Sequence, residues 1–175
     1  MTKLREITVN DFSLLKKSLK RDFSFYEYMP LFLIKRCLKK KTMTGYFLCD
    51  VDIIGYALLV TVTNSNYIHL QNIAITPEYR SKGYGSDFMK KLMDRYPNRT
   101  FILEVLGNIS KEVQDTASSQ RIRFYERLGF SIISQSKYKI AGKEITVMVN
   151  GICDNYASVM SKLYKDCIFP GKQKR

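Results

Sequence analysis

The sequence predicts a mixed α/β (α+β) fold built on one largely antiparallel central sheet of about seven strands, flanked by helices and followed by an extra C-terminal helix. Three observations predict it. Short apolar runs of strand length are joined mainly by hairpin turns. Helical patterns follow the first, fourth and fifth of these runs. The chain has 175 residues, 45% hydrophobic and 26% charged, so we expect a single domain over 1–175 with a short C-terminal extension at 151–175.

The N-terminal quarter predicts a strand followed by two helices. Leu4 to Val9 alternates in the manner of an edge strand, and Asn10 is suited to cap a helix that runs to about Arg21. Pro30 suits the first position of a second helix. The apolar side chains of that helix recur at helical spacing: Leu33, Ile34, Cys37 and Leu38.

The middle of the chain predicts a hairpin, a long strand and a helix. Gly45–Cys49 and Ile53–Thr63 flank a compact turn at Asp50-Val51-Asp52 and are expected to pair antiparallel. Tyr67–Ile75 is the next strand, and a helix follows from about Gly83 to Tyr96. Its buried stripe is expected to comprise Phe88, Met89, Leu92, Met93 and Tyr96.

The second half continues with a strand, a helix and a hairpin. Thr100–Leu106 is nearly continuously apolar, as expected for a central strand, and a polar loop then leads to about Ala117. Ser118 or a neighbour is expected to cap a helix that ends at Leu128, where Gly129 supplies the left-handed residue and Phe130 packs back.

The C-terminal part predicts a final hairpin and a last helix. Ile132–Ile140 and Glu144–Val149 flank the turn Ala141-Gly142-Lys143. Tyr156, Val159, Met160 and Leu163 then recur at helical spacing. This last helix either caps the core or contacts a second subunit, and the sequence leaves both open.

Residues 80–86, Arg-Ser-Lys-Gly-Tyr-Gly-Ser, follow an apolar strand and open a helix, which is the arrangement of a phosphate-binding loop. Gly83 and Gly85 let the backbone turn sharply and approach an anion closely. The first N–H groups of the helix have no internal acceptor, and the helix dipole adds partial positive charge. Arg80 and Lys82 add full charges.

Two common phosphate motifs do not fit this loop. The dinucleotide pattern Gly-x-Gly-x-x-Gly fails because its third position is Phe88, and no acidic residue ends a second parallel strand about 20 residues later. The nucleoside triphosphate pattern fails because no lysine followed by serine or threonine comes after either glycine. An Arg-x-x-Gly-x-Gly pattern remains.

This pattern resembles the acyl-CoA signature of the GNAT superfamily of N-acetyltransferases. The segment Leu103-Glu104-Val105 reads as the next strand, and residues 124–130 resemble the family's Tyr-x-x-x-Gly-Phe segment. The resemblance covers roughly 54–149. It implies a sheet whose two central strands splay apart at the phosphate loop, with acetyl-CoA as co-substrate and its pantetheine arm between them.

The resemblance also implies a set of residues that bind the co-substrate. The backbone near Ala74 and Ile75 would bind the carbonyl and the pantetheine amides. The loop would bind the diphosphate through Arg80, Ser81, Lys82, Gly83, Tyr84, Gly85 and Ser86, and Ser118 stands near the family's usual asparagine. Ser81 replaces a common glycine, which is tolerable if its φ angle is negative.

Three residues are candidates for the proton transfers that amine acetylation requires. Tyr125 matches the family tyrosine that protonates the departing thiolate, although a purely packed tyrosine is the alternative. Glu104 is the candidate base, because a lone carboxylate stands in an otherwise apolar strand; the alternative is an outward-facing glutamate paired with a lysine. His69 is a second candidate base, with a structural histidine as its alternative.

The resemblance implies direct acetyl transfer to a primary amine, of a small molecule or a peptide, in a ternary complex that needs no metal. The variable N-terminal region would line the acceptor pocket through Tyr26, Tyr28, Met29 and Phe32, or these residues belong to the core. The alternative function is a non-catalytic acyl-CoA-binding sensor or interaction module of the same fold. A homodimer is left open.

The net charge of +13 is high, and residues 1–45 carry eleven Lys or Arg against four Asp or Glu, or +7. A solvated lysine-rich surface is favoured over a nucleic-acid partner, because no recognised RNA or DNA motif is present. No apolar run approaches a membrane span, and the start lacks a signal peptide, so we expect a cytoplasmic protein. The four scattered cysteines predict neither a zinc site nor disulfides.

Overall fold

The computed structural model describes residues 1–62, 65–106, 117–140 and 142–170. The predicted polar loop before Ala117, the turn residue Ala141 and the basic tail after residue 170 therefore lie outside the described residues. The strands are β1 (Lys3–Glu6), β2 (Met43–Cys49), β3 (Ile53–Val60), β4 (Tyr67–Ile75), β5 (Thr100–Leu106), β6 (Ser131–Ile140) and β7 (Lys143–Val149). The helices are α1 (Phe12–Asp22), α2 (Leu31–Lys39), α3 (Tyr84–Arg95), α4 (Ala117–Glu126) and α5 (Tyr156–Ile168).

These strands form one seven-stranded sheet in the order β1-β2-β3-β4-β5-β7-β6. Its neighbouring strands pair antiparallel except β4 and β5, which are parallel. Helices cover both faces of the sheet. The predicted mixed, largely antiparallel α/β fold with an extra C-terminal helix is thus confirmed.

The predicted N-terminal helix cap is wrong. β1 already ends at Glu6, and a short 3-10 turn over Val9–Asp11 precedes α1. The Asp11 carboxylate accepts hydrogen bonds from the Thr8 backbone N–H at 2.9 Å and from the Thr8 hydroxyl at 2.8 Å. Thr8 and Asp11 therefore organise this helix entry. Asn10 lies inside the 3-10 turn, and α1 begins only after Asp11, one residue later than the pattern predicts.

Two apolar layers hold the helices on the sheet. One face packs against α3 and α4 through Phe88, Met89, Leu92, Ile122 and Tyr125. The other face packs against α1, α2 and α5 through Leu15, Leu19, Ile34, Cys37 and Leu163. Each fully buried large apolar side chain contributes about 1.5–3 kcal/mol to stability. The sheet therefore lies between two layers of helices, with α3 and α4 on one face and α1, α2 and α5 on the other.

The C-terminal helix α5 belongs to this core. Leu163 and Cys167 are buried with residues of α1 and α2, and the Thr42 hydroxyl donates to the Cys167 carbonyl at 2.8 Å. Of the two roles left open by the sequence, capping the core is the one that this packing supports. Cys37, Cys49, Cys153 and Cys167 are free thiols. Within the described ranges, no helix has the length and apolarity to cross a bilayer.

The parallel strands β4 and β5 separate halfway along their length. Their pairing runs from Tyr67 with Thr100 to Leu70 with Leu103. Beyond these residues β4 continues along β3 and β5 continues along β7. A gap therefore opens between the two central strands toward the phosphate loop, as the family resemblance predicts.

A β-bulge in β4 lies at the start of this gap. Leu58 of β3 pairs with Asn72, whereas the next residue, Leu59, pairs with Leu70, so Gln71 falls out of register. An extra residue in one strand re-aims the neighbouring side chains. Here the bulge directly follows Leu70, the last residue of β4 that pairs with β5.

Candidate active site

The loop before α3 forms a sharp bend around Gly83. Gly83 has φ +81°, in the left-handed region, and nothing lies within 4 Å of the position where its Cβ would be. The first hydrogen bond of α3 runs from the Asp87 N–H to the Gly83 carbonyl, at 3.1 Å. The N–H groups of Tyr84, Gly85 and Ser86 precede that bond and have no acceptor within the helix. The bend therefore presents open space and several backbone donors to an anion.

Ser81 also lies in the left-handed region, with φ +59°. The expectation of a tolerable, negative φ at this position is wrong. The path of the loop imposes this angle although the residue carries a Cβ. Left-handed backbone costs an L-residue roughly 1–2 kcal/mol.

Ser81→Gly is therefore expected to raise the free energy of unfolding by about 0.5–1 kcal/mol. Glycine removes the backbone strain of the left-handed angle, and this gain exceeds the additional conformational entropy that glycine loses on folding. Urea denaturation measures this change. Ser161→Gly, at an exposed position inside α5, is the control and should lower stability by about 0.5–1 kcal/mol. A Ser81→Gly variant destabilised to the same extent as this control would contradict the strain.

The side chains of Arg80 and Lys82 brace the bend. The Arg80 guanidinium donates from Nε to the Ile75 carbonyl at 2.8 Å and contacts the buried Asp22 carboxylate at 3.2 Å. Lys82 Nζ donates to the Glu78 carbonyl at 2.9 Å. Both cations thus stand at the bend while bonding to its backbone. Their predicted contact with phosphate stays a prediction.

One edge of β4 faces the gap with its backbone groups. The Thr76 N–H donates to the Ile54 carbonyl of β3, whereas the Ile75 carbonyl accepts from Arg80. The backbone N–H and C=O groups of Ile75 therefore point away from β3. Backbone groups alternate in direction along an antiparallel pair. The backbone N–H and C=O groups of Ile73 therefore also point toward the gap, and those of Ala74 point toward β3. The backbone donors suited to a thioester or pantetheine amide are therefore those of Ile73 and Ile75.

Tyr125 lies on the α3/α4 side of the sheet. Its side chain is buried, with ring centroids 5.0 Å from Phe124 and 5.7 Å from Phe130. Phe124 in turn lies 3.5 Å from the Cβ position of Gly85, so α4 stands beside the phosphate loop. Burial raises the pKa of Tyr125 to about 12, and the nearby Arg121 opposes this. The phenol is therefore a protonated group near neutral pH, as a proton donor must be.

Glu104 and His69 lie on the opposite side of the sheet, where α5 packs. Glu104 is exposed and accepts a hydrogen bond from the Tyr156 hydroxyl. His69 is buried, and its Nδ1 lies 2.8 Å from the Tyr164 hydroxyl. Burial lowers the pKa of His69, and the Glu104 charge partly opposes this, so the imidazole stays neutral at pH 7. The sequence offered a lysine as the alternative partner of Glu104, whereas the partner in the structure is Tyr156.

A cavity of about 180 Å³ lies beside the gap, and both Glu104 and His69 line it. Its wall includes His69, Gln71, Asn72, Glu104 and Arg121. The other described residues that line it are Phe23, Tyr26, Glu27, Leu106, Ile145 and Tyr164. Of the aromatic and apolar residues expected to touch an acceptor, Tyr26 lines this cavity, whereas Met29 is buried in the core and Phe32 is largely exposed.

Ser118 lies within the first turn of α4, where its hydroxyl donates to the Leu106 carbonyl at 2.7 Å. It is thus tied to the end of β5 and lies inside the helix that it was expected to cap. Its contact with the co-substrate stays a prediction. The sequence reasoning missed Asn72, Glu27, Arg121, Tyr156 and Tyr164, because their joint position depends on the fold and no local motif marks them.

A bend at the start of a helix, a gap between the two central strands and a cavity with a carboxylate are the features that the resemblance to acyl-CoA-dependent transferases predicts. A family model described as the acetyltransferase (GNAT) family matches residues 3–130. The match covers well over half of the chain, and this protein belongs to the GNAT acetyltransferase family. A comparison with curated protein sequences found no match.

Solved structures share the fold. A protein assigned to the GNAT acetyltransferases from Bacteroides thetaiotaomicron is 20% identical, with a TM-score of 0.72 over 94% of this chain and 95% of that chain. The ribosomal-protein-S18-alanine N-acetyltransferase from Escherichia coli is 18% identical, with a TM-score of 0.66 over 89% and 98%. A mutant of the Vibrio cholerae spermidine/spermine N-acetyltransferase SpeG is 17% identical, with a TM-score of 0.62 over 85% and 93%.

Proposed function

We propose that this protein is an acetyl-CoA-dependent N-acetyltransferase that transfers the acetyl group to a primary amine by direct attack in a ternary complex. The observation that carries the proposal is the convergence of the Gly83 bend, the gap between β4 and β5 and the cavity that holds Glu104. The solved neighbours support it, because their names describe enzymes that acetylate spermidine or a protein alanine.

The residues present fit acetyl-CoA. The space at Gly83 and the donors of Tyr84, Gly85 and Ser86 suit a diphosphate. Backbone N–H groups of Ile73 and Ile75 suit the acyl and pantetheine carbonyls, since they face the gap without a β5 partner. The predicted roles of Arg80, Ser81 and Lys82 at the loop are part of the same proposal.

The two proton transfers are assigned to residues on opposite sides of the sheet. Glu104 takes one proton from the ammonium group, directly or through water, and the neutral amine then forms the new C–N bond. Backbone N–H groups of β4 stabilise the negative charge that develops on the thioester oxygen. As the C–S bond breaks, Tyr125 donates its proton to the thiolate sulfur. The attacking nitrogen loses its second proton through water to the Tyr125 phenolate, which leaves the neutral amide. Glu104 releases its proton to solvent, so one proton is released for each acetyl group transferred.

Helix α5 supports the cavity although it lies beyond residue 130, where the family match ends. Tyr156 and Tyr164 hold Glu104 and His69 through their hydroxyls. His69 is the alternative base. The Nδ1 atom of His69 is hydrogen-bonded to the Tyr164 hydroxyl. We therefore assign His69 a positioning role and Glu104 the role of general base.

Glu104→Gln is expected to lower kcat about tenfold at pH 7, because general base catalysis is lost while solvent still accepts protons. The loss should shrink as pH rises toward the amine's own pKa of about 10.4, where the acceptor is neutral without assistance. Thiol release from acetyl-CoA measures kcat across pH. Glu126→Gln on α4, which removes an exposed carboxylate, is the control. A loss that is constant across pH would contradict the base role.

The alternative is a non-catalytic acyl-CoA-binding module of the same fold. Screening primary amines for thiol release separates the two, since a module would bind acetyl-CoA and release no thiol with any acceptor. The remaining parts of the proposal are a single domain over 1–175, no metal requirement, a cytoplasmic location, an amine rather than nucleic acid as partner, and a homodimer left open.

A further inference from the structure

Two residues that line the cavity beside Glu104 each carry a buried side-chain oxygen without a hydrogen-bond donor. Among the described residues, Gln71 Oε1 and Asn72 Oδ1 are buried and unpartnered. Asn72 is only 2% exposed. Both side chains line the same cavity. A buried carbonyl oxygen without a donor destabilises the free protein, and a ligand with N–H groups removes that penalty.

The β-bulge explains why two consecutive residues point to one place. Successive side chains of a regular strand face opposite sides of the sheet. Because Gln71 falls out of register between Leu70 and Asn72, both amides reach the cavity. The Asn72 amide is also oriented, since its Nδ2 donates to the Glu27 carbonyl at 3.1 Å. Its oxygen is therefore the end left for a ligand.

The charges around the cavity favour a cation. Among the described residues, its wall holds two carboxylates, Glu27 and Glu104, against one guanidinium, Arg121, and His69 is neutral. This local excess of negative charge occurs in a chain of net charge +13. An ammonium group offers three N–H donors and no acceptor, which matches unpaired oxygens beside carboxylates.

The size and walls of the cavity favour a narrow apolar chain behind that cation. Its volume of about 180 Å³ is below the roughly 300–1,000 Å³ typical of sites for drug-sized ligands. Phe23, Leu106 and Ile145 supply apolar wall. A compact alkyl chain behind the ammonium group would lie against these three side chains.

We infer that the acceptor is an unbranched aliphatic primary amine, which enters as its ammonium form with Gln71 Oε1 and Asn72 Oδ1 accepting two of its N–H groups. The third proton is the one that Glu104 removes. This inference rests on the proposed function. Gln71 and Asn72 are then specificity-determining residues for the acceptor.

The test compares two acceptors and one variant. In the wild type, 1,5-diaminopentane should be acetylated with kcat/KM at least tenfold above a tripeptide with N-terminal alanine. Gln71→Met, which keeps the length of the side chain but removes the oxygen, should raise KM for the diamine about tenfold and leave KM for acetyl-CoA unchanged. Gln120→Met, at an exposed position of α4, is the matched control. Thermal melting and acetyl-CoA titration establish that each variant is folded.

A preference for the tripeptide, an unchanged diamine KM in Gln71→Met, or no thiol release with the diamine from a protein that binds acetyl-CoA would each overturn the inference. Failure of the proposed function looks different, because the wild type would then bind no acetyl-CoA or release no thiol with any amine. If Gln71→Met does not fold, Gln71→Glu replaces it. Its added negative charge should lower KM for the diamine, and a higher or unchanged KM would also overturn the inference.

Discussion

Gly83→Asp is expected to weaken coenzyme A binding about a hundredfold. The left-handed φ of +81° and the open space at this position allow a short polar side chain to be accommodated without collision. A carboxylate there would stand beside the diphosphate. Two like charges about 5 Å apart at an effective dielectric of about 20 repel by roughly 3 kcal/mol, which corresponds to about a hundredfold in affinity.

Gly83→Asn is the matched control for this prediction. Asparagine has almost the same size as aspartate and also tolerates the left-handed region, so the two variants differ in charge. Calorimetric titration of coenzyme A should show a much smaller loss for asparagine. The rise in melting temperature on adding acetyl-CoA should follow the same order. Equal losses in both variants would show that bulk matters and that an anion is not bound at the bend.

Tyr125→Phe is expected to lower kcat about a hundredfold, within the range for loss of a general acid. The ring stays in its packing with Phe124 and Phe130, and the proton for the thiolate is removed. Because the pKa of Tyr125 is raised to about 12, the wild-type phenol remains protonated through pH 9. The dissociation constant of acetyl-CoA should change much less than kcat.

Tyr46→Phe is the control for Tyr125→Phe. It removes a hydroxyl that is bonded to the Tyr96 hydroxyl at 2.9 Å within the same apolar layer. Pre-steady-state thiol release and acetyl-CoA titration should show little change in this control. If Tyr125→Phe lost binding and turnover in equal measure, its hydroxyl would have a packing role and no role as the acid.

The bend at Gly83 was predictable because its determinants are local. Gly83, the helix that follows and the strand before it stand within about 15 residues, and each follows a short-range rule. The left-handed Gly129 and the packing of Phe130 on Tyr125 were predictable for the same reason. The sheet also followed, since most of its strands are joined by hairpins.

Other features depend on tertiary structure and left no local signal. The sign of φ at Ser81 is set by the path of the loop, which is braced by Arg80 and an Asp22 that lies 58 residues away in sequence. Tyr164 meets His69 across 95 residues. Tyr156 meets Glu104 across 52 residues. A spacing rule cannot detect contacts of this range.

The β-bulge shows the same limit within one strand. The run Tyr67–Ile75 predicted a regular strand, and it is a strand over those residues. Alternation alone would place Gln71 and Asn72 on opposite faces. Only the register against β3 shows that both line one cavity, because the pairing of Leu58 and Leu59 skips Gln71. The proposed acceptor site was therefore less predictable from the sequence than the bend at Gly83.

Calorimetric titration of the wild-type protein with coenzyme A and with pantetheine compares ligands that share the thiol arm and differ in the nucleotide diphosphate. If the bend at Gly83 grips phosphate, coenzyme A should bind at least tenfold more tightly than pantetheine, and added salt should weaken coenzyme A selectively. Equal affinity for the two ligands, or no binding of coenzyme A, would contradict a diphosphate site at this bend.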